Sequence, residues 1–85
     1  MKGNVALIKE QGVNFAVLVV KRHVLSSPTE RENTRTAFEQ EFGVPVVLMT
    51  QDSQGVPTYS GRNDLVRWLS SVYVEALPWR EFTLN

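Results

Sequence analysis

The chain has 85 residues, of which 42% are hydrophobic and 21% charged, and nine basic side chains balance nine acidic ones. A chain of this length predicts one small domain, residues 1–85, which buries only about 60–65% of its unfolded surface. The absence of cysteine excludes disulfides, thiol catalysis and thiolate metal sites, and the balanced charge argues against nucleic acid or an anionic membrane as a partner.

Two apolar runs near the N-terminus predict a β-hairpin. The first, Asn4 to Glu10, ends in charged residues that suit an edge strand, and Gly12 lies in the turn that follows. The second, residues 13–21, contains six consecutive apolar residues from Phe15 to Val20. Because both faces of such a strand require burial, we expect it at the centre of the sheet.

A capping signal opens the first predicted helix. Ser27 fits the N-cap, a proline follows at the first helical position, and Glu30 completes a capping box. The helix should cover residues 28–42, and Gly43 can adopt the left-handed conformation that ends it. Its apolar face is narrow, so Phe38 is expected to provide much of the packing against the sheet.

Two further strands are predicted in the second half of the chain. Residues 44–49 are apolar on both faces, and Asp52 to Gly55 has the end residues preferred in a type I turn. Residues 56–59 predict a short fourth strand, and Pro57 within it favours a sheet edge.

A second helix is expected to begin at Ser60 or Gly61 and to end before Pro78. Apolar residues at helical spacing form its buried stripe, namely Leu65, Trp68, Leu69, Val72, Tyr73 and Ala76. The remaining residues, 78–85, are too apolar for a free end and are predicted to be a C-terminal tail packed on the domain.

This order of elements predicts an α+β fold: a two-layer ββαββα sandwich, with a four-stranded mixed sheet and two helices on one face. Strands two and three are expected side by side and parallel, joined by a right-handed crossover, which gives the order 1-2-3-4. An all-antiparallel order 2-1-3-4 is the alternative. The opposite face would be covered by the tail or by a second subunit, or would be an exposed binding surface.

The stretch GVPVVLMTQDSQGVPTYSGRNDLVRWL, residues 43–69, resembles the closing ββα half of the thioredoxin and glutaredoxin fold. In that family the proline before the strand is cis and faces the redox cysteines, and Pro45 is the matching position. The resemblance covers about a third of the chain, which has no cysteine and a different preceding strand–helix order. It therefore implies a local geometry and no redox activity.

A second resemblance rests on the stretches GVPVVLM, GVPTYSGRNDLV and ALPWREF. They are similar to those of small uncharacterised bacterial ββαββα proteins of unassigned function. This resemblance implies the fold and leaves the substrate open.

Parallel central strands would bring their carboxyl ends to one rim, where ligands bind in open α/β sheets. Lys21, Arg22 and His23 would reach this rim from one of these strands. Gln51 and Asp52 would reach it from the other. A histidine beside an aspartate can act as an acid–base pair, and a helix start at the same rim would favour an anion. The plainer interpretation, which we prefer, is a charged strand end and a surface turn.

A second candidate site lies at the start of the second helix. Tyr59 precedes that start, and Arg62 stands beside backbone N–H groups that could hold a phosphate or carboxylate. Against an anion, Asp64 would repel it, and Ser-Gly before a helix is ordinary capping. Capping is again the preferred interpretation.

No catalytic constellation, cofactor motif or metal-ligand spacing is present in the sequence. We therefore expect a non-enzymatic protein-interaction module that binds an unknown protein partner or itself as a homodimer. The alternative is a small enzyme or anionic-ligand-binding protein that uses the rim at His23 and Asp52. No apolar run is long enough to cross a bilayer and no signal-like segment is present, so a cytoplasmic protein is expected.

Overall fold

A computed structural model describes residues 2–10 and 12–83 of the chain. These residues form five strands, three α-helices and one 3₁₀ turn. The strands are β1 (Lys2–Glu10), β2 (Val13–Val19), β3 (Val46–Gln51), β4 (Pro57–Ser60) and β5 (Trp79–Thr83). The helices are α1 (Arg22–Ser26), α2 (Pro28–Phe42) and α3 (Asn63–Leu69), and the 3₁₀ turn covers Val74–Ala76.

The described strands form one mixed sheet in the order β4-β3-β2-β1-β5. The parallel pairing of β2 with β3, in which Val17 lies opposite Val47, confirms the expected arrangement of the two central strands. All other neighbours are antiparallel. The first four strands follow the predicted order 1-2-3-4, and the alternative order 2-1-3-4 is wrong. The peptide bond before Pro45 is trans, in contrast to the thioredoxin-like expectation.

The two longer helices lie on opposite faces of the sheet, so the prediction of a two-layer sandwich with both helices on one face is wrong. One core cluster combines Phe38 of α2 with residues such as Ala16 and Leu18 of β2. The other combines Leu65 and Leu69 of α3 with the opposite face of the sheet. Handedness governs the crossover through α2, but α3 follows an antiparallel hairpin and is free to cover the second apolar face.

The C-terminal tail extends the sheet, which gives five strands in place of the predicted four. β5 pairs antiparallel with β1, from Lys2 opposite Thr83 to Ala6 opposite Trp79. β1 is therefore an inner strand and not the expected edge. The indole Nε1 of Trp79 donates to the carbonyl of Val74 at 2.8 Å, which fixes the start of β5. Residues 84 and 85 of the predicted tail lie outside the described residues.

The predicted Ser27 cap and Gly43 stop of α2 are confirmed, but the reciprocal half of the predicted capping box, a bond from the Ser27 N–H to the Glu30 carboxylate, is not formed among the described residues. The Ser27 hydroxyl accepts a hydrogen bond from the Glu30 backbone N–H at 3.3 Å, and Gly43 ends the helix with φ 71°. The Ser27 backbone N–H donates to the carbonyl of His23. Residues 20 and 21 leave the sheet and α1 begins at Arg22, so the expected charged strand end is instead a short helix.

The second predicted helix is shorter than its apolar stripe indicated. α3 ends at Leu69, and the helix does not continue through the two serines that follow. The hydroxyl of Ser70 donates to the carbonyl of Val66, and the hydroxyl of Ser71 donates to the carbonyl of Trp68. Serine side chains compete in this way with the helical backbone. The chain continues as the 3₁₀ turn, and Tyr73, expected in the stripe, is 80% exposed.

Candidate functional site

Asp52, expected at the rim, is a turn residue in the structure. Its Oδ1 accepts hydrogen bonds from the backbone N–H groups of Gln54 and Val56 at 2.8 and 2.9 Å. The Gln51 side chain donates to the carbonyl of Gly55 at 2.9 Å, and the Gly55 N–H donates to the carbonyl of Asp52. These bonds show that Asp52 to Gly55 form a β-turn, as predicted, and they engage the Asp52 carboxylate within that turn.

His23 lies in the first turn of α1 beside Arg22, and both are exposed. The Nε2 of His23 is 3.7 Å from Oε2 of Glu30, and these side chains are 67% and 55% exposed. Within residues 2–10 and 12–83, no ion pair joins His23 to Asp52. The same residues contain no group of three or more histidine, aspartate or glutamate side chains suited to a metal ion.

The structure instead brings His23 together with two lysines. A cleft of about 550 Å³ lies where β1 begins and β2 ends, and we call it the rim cleft. It is lined by Lys2, Gly3, Asn4, Val19, Val20, Lys21, His23, Val24 and Thr34. Sequence reasoning placed Lys21 and His23 at this rim but missed Lys2, because the first strand was predicted to begin at Asn4, whereas β1 begins at Lys2.

Gln51 lines an adjoining cleft of about 340 Å³ on the side of the sheet that carries α3. This cleft shares Asn4 and Val19 with the rim cleft. Gln51 and His23 are therefore at the same rim but in neighbouring depressions.

The guanidinium of Arg62 is bound by Asp64. Its Nε and one terminal nitrogen donate to the two carboxylate oxygens at 2.9 and 2.7 Å, which is a bidentate pair. This pairing raises the pKa of Arg62 and lowers the pKa of Asp64. α3 is only seven residues long, and no side chain caps its start.

Tyr59, the other residue expected near that helix start, lines a different depression, a cleft of about 450 Å³ that we call the edge cleft. It lies between the β3–β4 turn and the segment after α3. Its lining residues are Gln54, Gly55, Val56, Pro57, Tyr59, Leu69, Ser70, Val72, Tyr73, Val74 and Glu75. Arg62 is not among them, so the two residues predicted for this site do not line the same cleft.

The edge cleft is flanked by exposed apolar side chains. Among the described residues, three large hydrophobic side chains are exposed, and two of them, Val56 at 55% and Tyr73 at 80%, line this cleft. The third, Leu7, lies elsewhere on β1 and is 46% exposed. The sequence did not predict this exposed apolar surface, because the helical spacing of the apolar residues placed Tyr73 in the buried stripe.

The backbone of β4 offers free hydrogen-bonding groups beside the cleft. The carbonyl of Val56 accepts from the N–H of Asp52, so the carbonyls at 58 and 60 also face β3. The intervening groups, the N–H and C=O of Tyr59 and the C=O of Pro57, face away from the sheet. Within residues 2–10 and 12–83, neither Pro57 nor Tyr59 makes a backbone hydrogen bond to any element other than β3.

The hydroxyl of Tyr59 is buried and has no hydrogen-bond partner among the described residues. Burial raises the pKa of this phenol above its ordinary value of 10.0, since desolvation disfavours the charged form. A buried hydroxyl without a partner costs free energy, because its hydrogen bonds to water are lost and not replaced.

Comparisons with protein-family models, with curated proteins and with solved structures each found no match to this chain. None of the helices in the described part of the chain has the length and apolar character needed to span a membrane.

Proposed function

We propose that this protein is a non-enzymatic interaction module that binds an extended segment of a partner protein along β4. The observation that supports the proposal most directly is the coincidence of an unpaired strand edge with the exposed side chains of Val56 and Tyr73. Extended peptides add to such an edge through main-chain hydrogen bonds and place alternate side chains in neighbouring pockets.

The two edges of the described sheet differ in a way that favours β4. The outer strand β5 carries exposed charges at Arg80 and Glu81, which discourage pairing with another chain. β4, with the sequence PTYS, carries no charge. Its proline removes one N–H from the edge, so an added strand would use the remaining N–H and C=O of Tyr59 and the carbonyl of Pro57.

The lining of the edge cleft indicates the chemistry of the partner segment. Aromatic and aliphatic side chains suit an apolar anchor residue, and Glu75 is the one charged residue of the lining. A basic residue near the anchor would complement it. The partner is thus expected to be a short extended segment with an apolar and a basic side chain.

A partner segment is favoured over a second copy of this chain because of size. β4 has four residues and offers three outward backbone groups. A stable dimer buries about 800 Å² on each partner, whereas such a short edge suits the small contact area of a bound peptide. We also propose that the protein is cytoplasmic, as expected from its sequence.

The proposal can be tested with a random peptide library displayed on phage, selected against the whole protein. Enriched peptides should combine an apolar with a basic residue. In ¹⁵N NMR spectra, they should shift the amides of Val56, Tyr59 and Tyr73 and slow hydrogen exchange at Tyr59. Tyr73→Ser should weaken binding by about tenfold or more, as expected for an aromatic anchor.

Leu7→Ser is the matched control, since it also removes an exposed apolar side chain but lies away from the edge cleft. It should leave peptide affinity unchanged. The proposal fails if no peptide is enriched, or if both variants bind selected peptides equally well. A doubled solution mass together with slow exchange at Tyr59 would replace the partner segment with a second copy.

A further inference from the structure

We infer that the rim cleft binds a small amphiphilic carboxylate, in which a hydrocarbon chain carries one anionic head group. This site shares no lining residue with the edge cleft, so the inference is independent of the proposed interaction along β4.

Positive charge is the first feature of the rim cleft. Lys2, Lys21 and His23 all line it, although they come from the start of β1, the loop after β2 and α1. Neither lysine has a carboxylate partner within 4.0 Å among residues 2–10 and 12–83. In a chain whose total charge is zero, this is a local excess of cations.

Two carboxylates near this cleft oppose an anion, Glu30 of α2 and Glu81 of β5, which lies opposite Asn4, and among the described residues neither is within 4.0 Å of a lysine. Glu30 of α2 approaches His23 at 3.7 Å and offsets its charge when the imidazole is protonated. The other polar residues of the lining, Asn4 and Thr34, are neutral and can donate hydrogen bonds. The two lysines therefore determine the sign of the ligand.

The apolar part of the lining determines the rest of the ligand. Val20 and Val24 pack on the face that carries α2 and Val19 packs on the opposite face, so the partly buried apolar lining spans the end of β2. A bare inorganic anion would leave these side chains in contact with water, whereas a hydrocarbon chain would cover them. The cleft volume of about 550 Å³ is within the range of small-molecule sites.

A carboxylate fits this lining better than a phosphate. Phosphate sites typically use the planar fork of arginine or several backbone N–H groups at a helix start. The lining contains no arginine, and α1 is only five residues long. Two flexible lysines with an amide and a hydroxyl are sufficient for a single carboxylate.

The test is an NMR titration of the ¹⁵N-labelled whole protein with octanoate, below its micelle concentration and at neutral pH. Saturable shifts are expected at the amides of Gly3, Val20 and Val24. Across acetate, butanoate, hexanoate and octanoate, affinity should rise about two- to fourfold for each added CH₂ group. Octanol, which keeps the chain without the charge, should bind at least about tenfold more weakly than octanoate.

Variants locate the head group. Lys2→Gln combined with Lys21→Gln should weaken octanoate binding by about tenfold, and Lys21→Gln alone by about two- to fivefold, as for a partly exposed ion pair. Lys9→Gln is the matched control, because Lys9 lies at the other end of β1 and lines a different cleft. It should leave affinity unchanged.

Four outcomes would overturn the inference. Affinity that does not depend on chain length, or phosphate binding as tight as octanoate binding, would indicate a bare anion site. Equal binding of octanol would show that the charge is irrelevant. Shifts centred on Leu7, Phe42 and Val44 would place the ligand in another cleft.

Discussion

On the face of the sheet that carries α2, three aromatic rings pack against one another. The centroids of Phe38, Phe42 and Phe82 are separated by 5.7–5.8 Å, and two of the three pairs meet edge to face. On the other face, a seven-residue helix and a 3₁₀ turn cover a similar set of buried strand residues. These two short elements cover their face incompletely. The edge cleft and the exposed Tyr73 lie there, as does the Tyr59 hydroxyl, which has no hydrogen-bond partner among the described residues.

The two faces differ because the helix that covers one of them is much longer than the helix that covers the other. α2 has fifteen residues, is capped at both ends and can hold two aromatic rings over the sheet. The chain after β4 changes direction at Ser70 and Ser71, so its apolar residues are distributed over a helix, a turn and a strand. The α2 face is therefore expected to provide more stability, and the α3 face more of the exposed binding surface.

The largest effect is expected for Phe38→Ala. Phe38 is 6% exposed and contacts both other rings, so its removal leaves a cavity that the neighbours cannot fill. The free energy of unfolding should fall by about 3–5 kcal/mol in urea denaturation. Tyr73→Ala, on the other face, should change it by less than about 0.5 kcal/mol. Similar losses in the two variants would contradict the comparison of the faces.

Gly3→Ala should have the next largest effect. A Cβ at this position would lie 2.7 Å from two carbon atoms of the Phe82 ring. The ring cannot move away freely because Phe38 and Phe42 hold it, so the substitution should cost about 1–3 kcal/mol. Combining Gly3→Ala with Phe82→Leu should cost less than the sum of the two changes, and strict additivity would show that the Cβ does not displace the ring.

Ser27→Ala should lower the free energy of unfolding by about 1 kcal/mol, because it removes the side-chain acceptor at the start of α2. Thermal unfolding followed by circular dichroism would measure this loss. Ser53→Ala, in the exposed β3–β4 turn, is the control and should be neutral. Equal effects of the two substitutions would show that the Ser27 hydroxyl does not stabilise the start of α2.

The smallest effect, and one of opposite sign, is expected for Tyr59→Phe. Removing a buried hydroxyl that has no partner within residues 2–10 and 12–83 should raise the free energy of unfolding, by less than about 1 kcal/mol. Destabilisation by this substitution would show that the hydroxyl does have a partner in solution.

The same residue predicts a pH dependence. Burial raises the pKa of Tyr59 above 10.0, so above pH 10.0 the folded chain retains a proton that the unfolded chain loses. Stability should be unaffected by this group below pH 10.0 and should fall as the pH rises through the raised pKa. In Tyr59→Phe this alkaline loss should be smaller, as measured by urea denaturation over a pH series.

The candidate sites were only partly predictable from the sequence. The rim was located correctly through the parallel pair, and Lys21 and His23 do line one cleft there. Asp52 was expected to pair with His23, but its carboxylate accepts hydrogen bonds from backbone N–H groups of its own turn instead. The edge cleft had no sequence signal, because Tyr73 fits a helical spacing that the chain does not continue.

By itself, the sequence determined most of the local elements, although not α1, and the order of the first four strands. Apolar runs, the Ser27 cap and Gly43 act through contacts between near neighbours, and the handedness of the crossover made β2 and β3 adjacent. Only the tertiary structure decided which face α3 covers, where it ends and that the tail becomes β5. Those choices depend on which apolar surfaces remain open after the central strands have paired, and this is a property of the assembled sheet.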